Sequence, residues 1–196
     1  MMKKSLMIGI AALSFVTVSS QTFAAGGVHT VEEDESLWDI GKEKSVSVIQ
    51  LKKENDLKSN EIYPGQSIVI PDSDVTAQDR ELLAKLVHAE AKGEPYAGKV
   101  AVATVVLNRV DSKEFPDSIK NVIYQVSNGH YAFSPVQNGQ INEAPSKESK
   151  EAVDEALAFR GQGKGSLFFY NPVTSTSDWI TSRETLLTIG KHRFAK

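Results

Sequence analysis

Residues 79–110 read DRELLAKLVHAEAKGEPYAGKVAVATVVLNRV, two apolar segments separated by Gly93 and Pro95. In the first segment, side chains at the spacing i, i+3, i+4 and i+7 share one face of a helix, and they are Leu83, Leu86, Val87 and Glu90. An amphipathic helix keeps its charged side chains on the opposite face. Glu90 is therefore a carboxylate that continues an apolar stripe.

Both ends of this first helix are marked in the sequence. Thr76 and Asp79 stand three residues apart before the apolar run, which is typical of a capping box at a helix start. Gly93 suits a helix C-cap, and the proline that follows it blocks continuation. We therefore expect a helix over about residues 77–92.

The position of Glu90 favours acid–base chemistry. Burial disfavours a charged carboxylate, so its pKa should rise above the ordinary value of about 4.3. A carboxyl group that stays protonated near neutral pH can donate a proton to the leaving oxygen of a glycosidic bond. The alternative is a glutamate at a helix end that turns to solvent or pairs with Lys92 or Arg109.

The second segment is apolar nearly all round, which predicts a buried helix over about 98–111. Asn108 and Arg109 at its end are interpreted as polar closure of the core. Periodicity and capping residues predict further helices and short strands, at about 117–125, 146–160, Leu167–Tyr170 and Thr188–Phe194.

Residues 28–71 form a separate unit with the order β-α-α-β. His29 begins a short strand, Ser36 and Ser47 cap two helices, and the stretch Ile62–Pro71 gives a turn and a closing strand. Fewer than fifty residues make a small core for a free-standing fold.

This unit resembles a LysM module. His-Thr-Val, Ser-Leu-Trp-Asp-Ile, Val-Ser-Val-Ile-Gln-Leu and Ile-Tyr-Pro-Gly-Gln occur in the family's order and spacing. The chain departs from the family at Asp34-Glu35, where Gly-Asp is usual. A glycine there often serves a turn with positive φ, which aspartate tolerates only moderately well. We therefore expect the loop beside the sugar groove to be altered, with an effect on affinity but not on the fold.

The LysM resemblance implies binding of glycans that contain N-acetylglucosamine. The groove it implies lies between two loops, with Glu35, Ser36, Leu37, Ile62 and Tyr63 as the contact residues. Trp38 is interpreted as a core residue rather than a sugar platform.

The two ends of the module adjoin different kinds of sequence. Residues 1–24 have two lysines, a short apolar run and a small-residue cleavage site, which predicts a signal peptide and export. The apolar run is shorter than a membrane span requires, so no membrane association is expected after cleavage. Residues 72–76 are predicted to be a polar linker to a second domain over 77–196.

Composition excludes several classes of function. The net charge is −3, which gives no sign of nucleic acid as a partner. The chain has no cysteine, which excludes thiol catalysis and Cys-containing metal sites. In an exported protein, the absence of cysteine also favours a Gram-positive source.

The second domain resembles the SleB/CwlJ-type cell-wall hydrolases, which include spore cortex-lytic enzymes. Residues 88–110 carry the longest motif, and shorter ones follow in order: Phe-Pro, Phe-Ser-Pro-Val, Phe-Phe-Tyr-Asn-Pro, Trp-Ile and Ile-Gly-Lys-His-Arg-Phe. The predicted fold is α+β: a small βααβ LysM module, then a mainly helical domain like that of lysozyme and lytic transglycosylases.

The family's catalytic glutamate falls on Glu90. The resemblance implies cleavage of peptidoglycan between N-acetylmuramic acid and N-acetylglucosamine, with a 1,6-anhydro product and one essential carboxyl. Two alternatives remain: true hydrolysis to a reducing end, with Glu94 as a possible second carboxylate, and a non-enzymatic protein that binds wall or spore coat. The substrate is either vegetative wall or spore cortex, and the expected location is secreted, associated with the wall or spore of an endospore former.

Further residues of the second domain are candidates for substrate binding: Phe133, Ser134, Gln140, Tyr170, Asn171 and Trp179. The aromatic ones could stack on sugar rings or fill the core, and His192 could orient substrate or pack. No cofactor or metal is expected. A zinc amidase built from scattered histidines (His29, His88, His130 and His192) is conceivable, but the sequence has no His-Glu-x-x-His motif.

Overall fold

The computed structural model describes residues 26–127 and 129–196, and its buried hydrophobic side chains form two clusters. The smaller cluster draws on residues 31–70 and the larger on 75–194. The predicted signal peptide lies outside the described residues. Over the described ranges, no helix combines the length and apolar character needed to cross a membrane.

The N-terminal module has the predicted order of elements. They are strand β1 (Gly27–Thr30), helices α1 (Leu37–Lys44) and α2 (Val48–Glu54), and strand β2 (Ser67–Ile70). The strands pair antiparallel, with His29 opposite Ile68. This confirms the βααβ fold.

Local side-chain chemistry sets the turns of the module. The Ser36 side chain accepts a hydrogen bond from the N–H of Asp39, and Ser47 forms a full capping box with Gln50. Asp34 has φ 62°, the left-handed conformation for which the LysM family uses glycine. Asp34 therefore adopts the positive φ that the sequence departure pointed to.

The C-terminal domain is mainly helical with two small sheets. Its helices are α3 (Ala77–Glu90), α4 (Tyr96–Val110), α5 (Ile119–Ile123), α6 (Ser134–Asn138), a 3-10 turn (Gln140–Asn142), α7 (Lys147–Phe159) and α8 (Asp178–Thr181). Its strands are β3 (Val126–Ser127), β4 (His130–Tyr131), β5 (Phe168–Tyr170), β6 (Thr185–Ile189) and β7 (His192–Ala195). The sheet orders are β3-β4 and β5-β7-β6.

Helices α3, α4 and α7 build the core of this domain. The apolar stripe of α3 is fully buried, and α4 buries side chains around most of its circumference, as its composition predicted. Phe194, at 0% exposure, brings the three-stranded sheet onto the same core. The fold thus places the end of α3 beside α4 and the segment around α6.

The predicted end of α3 was wrong by two residues. The capping box at Thr76 and Asp79 is present, but the helix ends at Glu90 and Ala91 is its C-cap. The N–H of Ala91 still bonds to the carbonyl of Val87 at 2.9 Å. Gly93 instead lies in the turn that leads to Pro95, so Glu90 is the last helical residue.

The prediction of one strand over Thr188–Phe194 was also wrong. The segment forms an antiparallel hairpin of β6 and β7, with Ile189 opposite His192. Gly190 makes the turn possible because its φ is 56°. The apolar residues on both sides of the turn read as one strand in the sequence.

The module is docked on the C-terminal domain, with α1 crossing α7. Gly41 permits this approach, because a Cβ there would lie 3.2 Å from the Cβ of Ala158. Trp38 packs against the module core, as predicted, and also meets Phe159 edge-to-face at 6.3 Å between ring centroids. The interface therefore combines a close helix crossing with an aromatic contact.

Residues 72–76 were predicted to be a polar linker. Their side chains contact both the N-terminal module and the C-terminal domain. The Ser73 hydroxyl donates to the carbonyl of Ser45 at 3.0 Å, and Val75 is buried in the larger core cluster. The guanidinium of Arg160 binds Asp74 at 2.9 Å and Asp111 at 2.7 Å. Arg160 thus fastens the connection to the ends of α4 and α7.

We expect Asp74→Asn to loosen the connection, because it removes one of the two carboxylates that hold Arg160. Exposed ion pairs contribute up to about 1 kcal/mol, so cleavage within 72–76 by a nonspecific protease should rise roughly fivefold. Asp111→Asn is the matched control, since it removes the carboxylate that lies within the C-terminal domain. Equal cleavage of both variants and wild type would contradict a role for Asp74 in docking.

Candidate functional site

Glu90 lies at the end of the apolar stripe of α3. Leu83, Leu86 and Val87 each have 0% exposed surface, and Glu90 follows one turn later, partly buried. Because the helix stops at this residue, its side chain sits where α3 gives way to the turn before α4. The sequence spacing therefore places a carboxyl group at the boundary between core and solvent.

Burial raises the pKa of Glu90 to about 7. The positive charge of Arg109 and the backbone N–H of Ser134 act in the opposite direction. Within residues 26–127 and 129–196, no ion pair at 4.0 Å or less joins Glu90 to Arg109, and Lys92 lies 3.7 Å from Glu143 instead. A carboxyl with this pKa is partly protonated at neutral pH and can serve as acid and then as base.

Arg109 has a larger role than the core closure predicted for it. Its side chain is buried, and its Nε donates to the carbonyl of Leu167 at 2.8 Å. Three phenylalanine rings surround the guanidinium, with centroids 5.0 to 5.5 Å from Cζ: Phe115, Phe133 and Phe168. The charge of this guanidinium also acts on Glu90. The sequence suggested this interaction only as an alternative, a pair between Glu90 and Arg109, because α4 reads as apolar.

The prediction that Phe133 binds substrate is not supported. Only 3% of its surface is exposed, Arg109 stacks on its ring, and Phe169 lies 6.3 Å away. The ring is thus enclosed by protein. Its neighbour Ser134 is exposed at the first turn of α6, and its N–H faces Glu90.

The other candidates fall into exposed and buried positions. Gln140 is exposed at the 3-10 turn, and Asn171 uses its side-chain oxygen to accept from the N–H of Val173 at 2.9 Å. Trp179 is 56% exposed on α8 and meets Phe168 edge-to-face at 5.2 Å. Tyr170 is 7% exposed, and its hydroxyl has no hydrogen-bond partner in the part of the chain that is described.

Glu94 is held by hydrogen bonds to two separate segments of the chain. Its carboxylate accepts from the N–H of Lys191 at 2.9 Å in the β6–β7 turn, and its carbonyl accepts from Lys99 at 2.7 Å. Gly98 and Gly190 allow this carboxylate to come close to both chain segments. Glu94 therefore joins the start of α4 to the hairpin, which favours the structural alternative over a second catalytic carboxylate.

His192 packs rather than projecting into open space. Its ring lies 5.3 Å from that of Phe169 and 6.3 Å from that of Phe194. Burial lowers its pKa, opposed by the charge of Glu94. The other histidines do not complete a metal centre: the described residues hold no group of three or more side chains placed to bind a metal ion.

The candidate groove of the N-terminal module is partly exposed. Glu35 accepts from the N–H of Glu32 at 2.9 Å and lies 2.7 Å from Nε2 of His29, so it fastens the loop to β1. Burial raises the pKa of Glu35, but these hydrogen bonds outweigh it and the net direction is downward. Ser36 caps α1, which ties its hydroxyl to the helix.

One predicted groove residue is wrong. Leu37 is 1% exposed and belongs to the module core, so it is enclosed and has no face for a sugar. Ile62 packs partly against the same core. Tyr63 is 67% exposed, with its N–H bonded to Gln66, and it is the candidate best placed to meet a glycan.

Two protein-family profiles match this chain. The profile of the Cell Wall Hydrolase family matches residues 93–195. The chain belongs to the cell wall hydrolase family. A LysM domain profile matches residues 29–71. Glu90 lies three residues before the matched range of the hydrolase profile.

The relatives of this chain include spore cortex-lytic enzymes and solved catalytic domains. The spore cortex-lytic enzyme of Halalkalibacterium halodurans is 44% identical over 116 residues, which covers 59% of this chain and 34% of that protein. The catalytic domain of Bacillus cereus SleB is 40% identical with a TM-score of 0.56, covering 63% of this chain and 94% of that one.

A second solved relative extends this likeness. The catalytic domain of the germination-specific lytic transglycosylase SleB from Bacillus anthracis is 40% identical with a TM-score of 0.57, covering 65% of this chain and 100% of that one. The fold of the C-terminal domain is therefore that of the SleB catalytic domain. The chain spans about a third of the length of the curated relative from H. halodurans.

Proposed function

We propose that this cell wall hydrolase is an exported enzyme that cleaves the glycan strands of peptidoglycan between N-acetylmuramic acid and N-acetylglucosamine. The observation that carries the proposal is the position of Glu90, a partly buried carboxyl at the end of an apolar stripe whose pKa burial raises to about 7. Membership of the family supplies the substrate class. The B. anthracis relative is a germination-specific lytic transglycosylase, which favours the same reaction here.

Glu90 performs two proton transfers in this mechanism. Protonated Glu90 donates to the glycosidic oxygen, the C1–O bond breaks, and the bonding pair leaves with that oxygen. The resulting carboxylate then takes the proton of the sugar's own C6 hydroxyl, whose oxygen forms a bond to C1. The product is a 1,6-anhydro sugar, and no water is consumed. One carboxyl suffices, unlike the usual two-carboxylate glycosidases.

The remaining candidate residues receive substrate-binding roles according to how far their side chains are exposed. Ser134 presents its N–H to Glu90 and helps to hold the carboxylate. Trp179, Gln140 and Asn171 lie where a glycan can reach them, and Trp179 offers an aromatic surface for a sugar ring. In the LysM domain, Tyr63 and the loop at Glu35 contact the strand.

The place of action is outside the cell, on the wall or the spore. The leader at 1–24 supports export, and the LysM domain supports retention on peptidoglycan. The curated relatives named as spore cortex-lytic enzymes come from species of Bacillus and related genera. Spore cortex is therefore the first substrate to test, with vegetative wall as the alternative.

Mass spectrometry of released muropeptides tests this function. The protein is incubated with purified spore cortex and with vegetative wall, and we expect fragments lighter by one water than hydrolysis products and resistant to borohydride reduction. Reducible ends would instead identify a hydrolase. Binding to wall without release of any fragment would identify a non-enzymatic wall-binding protein.

A further inference from the structure

Arg109 carries a buried positive charge with an unusual set of contacts. In the described part of the chain, its side chain makes one hydrogen bond, from Nε to the carbonyl of Leu167 at 2.8 Å. The buried polar atoms that have no partner there belong to Gln162, Tyr170 and His192. The terminal nitrogens of Arg109 are not among them, so they keep access to open space.

Arg109 is connected to Glu90 through one segment of chain. The ring of Phe133 lies 5.0 Å from Cζ of Arg109, and the N–H of the next residue, Ser134, faces the Glu90 carboxyl. The two charges act on each other without an ion pair at 4.0 Å or less in the described residues. A direct ion pair would lower the pKa of Glu90 and hold it ionised. Without such a pair, the effect of burial on this pKa is the larger one.

No other charged side chain on the packed elements acts on Glu90 among the residues described. His88 is two residues before Glu90 and so lies on a different side of α3, and Lys120 of α5 is exposed. Most other charged side chains on these elements have their own partners: Lys92 with Glu143, Lys150 with Glu81, Arg80 with Asp154, Lys99 with Glu148, Lys147 with Glu151, Asp79 with Thr76, and Glu155 with Tyr96. Lys85 lies five residues before Glu90 on α3.

We propose that Arg109 is a positioning residue of the site, whose guanidinium stabilises the carboxylate form of Glu90 that proton donation leaves behind. This role rests on the proposed function of Glu90. While Glu90 is protonated, the guanidinium is held by Leu167 and the phenylalanine rings. Once Glu90 has given up its proton, the same fixed charge favours the new carboxylate and keeps it ready to deprotonate the C6 hydroxyl.

A neutral residue at position 109 should move the titration of Glu90 upward. Arg109→Met keeps an apolar side chain among the rings, and Arg109→Gln keeps a donor for the carbonyl of Leu167. We expect the alkaline limb of the kcat/KM profile, where Glu90 loses its proton, to shift to higher pH by about one unit. The plateau below that limb should fall roughly tenfold. Arg109→Lys should restore both.

Two controls separate this role from a structural one. Arg183→Met removes another stacked arginine, 4.7 Å from the Phe168 ring, and should leave the limb at its wild-type pH whatever its rate. Glu90 can also be titrated directly by 13C NMR, with its signal identified by its loss in Glu90→Gln. That midpoint should rise in Arg109→Met even if Glu90 proves not to be catalytic, so the two proposals fail separately.

A folded neutral variant with an unmoved Glu90 midpoint would overturn the inference. Failure of both neutral variants to fold, with Arg109→Lys folding normally, would also overturn it, because the charge would then be a requirement of the fold. A moved midpoint with an inactive Glu90→Gln supports both proposals. A moved midpoint with an active Glu90→Gln supports the effect of Arg109 on Glu90 and refutes the catalytic role.

Discussion

Glu90→Gln should abolish most peptidoglycan cleavage while leaving a folded protein. Glutamine keeps the shape and hydrogen-bonding capacity of the side chain but cannot supply or accept the proton. General acid–base catalysis contributes about 10²–10⁴-fold, so kcat should fall by at least the lower figure. Release of soluble muropeptides measures this loss. Glu94→Gln is the matched control, because Glu94 binds Lys191 and joins two chain segments.

The same substitution should stabilise the protein at alkaline pH. Folding raises the pKa of Glu90 from 4.5 to about 7, so the stability that its protonated form contributes is present below pH 4.5 and lost as the pH rises to about 7. The full loss corresponds to roughly 3 kcal/mol. Urea unfolding of both proteins from pH 4.5 to 8 should show wild type weakening relative to Glu90→Gln. If the unfolding free energies of the two proteins changed with pH in parallel, the raised pKa of Glu90 would be wrong. If Glu90→Gln cleaved wall at the wild-type rate, its catalytic role would be wrong.

Gly190→Ala should destabilise the C-terminal domain strongly. A Cβ at this position would lie 2.7 Å from Cδ of Pro95 and still closer to the Glu94 carboxylate, and its φ of 56° disfavours any other residue. Left-handed strain costs about 1–2 kcal/mol, and loss of the Glu94–Lys191 hydrogen bond adds about 1–3 kcal/mol. We expect Tm to fall by roughly 5–10 °C.

Gly165→Ala separates strain from crowding. Gly165 also has a positive φ, 71°, but a Cβ there would meet only the end of the Lys196 side chain at 3.8 Å. Its Tm should therefore fall by the strain alone, about half as much or less. Similar losses in the two variants would show that the close approach of Glu94 to Gly190 contributes little to stability.

Local signals made much of this fold predictable. The apolar stripe of α3 placed Glu90 at the core boundary, and capping residues marked the starts of α1, α2 and α3. These patterns depend on neighbours three or four residues away, which a single sequence displays directly. The same is true of Asp34, whose replacement of glycine pointed to the positive φ that the structure has.

The remaining features depend on contacts between distant segments. Phe133 is enclosed because Arg109 and Phe169 arrive from α4 and β5, and nothing near it in the sequence indicates this. Arg109 itself reads as the polar end of an apolar helix, although three rings from other segments hold it. The hairpin at Gly190 read as one strand because the apolar residues on each side share the same alternation.

Docking of α1 on α7 has a mechanical consequence for an enzyme that works as proposed. With Gly41 set against Ala158 and Arg160 bound to Asp74, the LysM domain packs directly against the domain that carries Glu90. A tethered site normally samples a range of distances set by its linker, and direct contact between the domains narrows that range. In such an enzyme, the position of the sugar bound by the LysM domain determines which bond along the strand reaches Glu90.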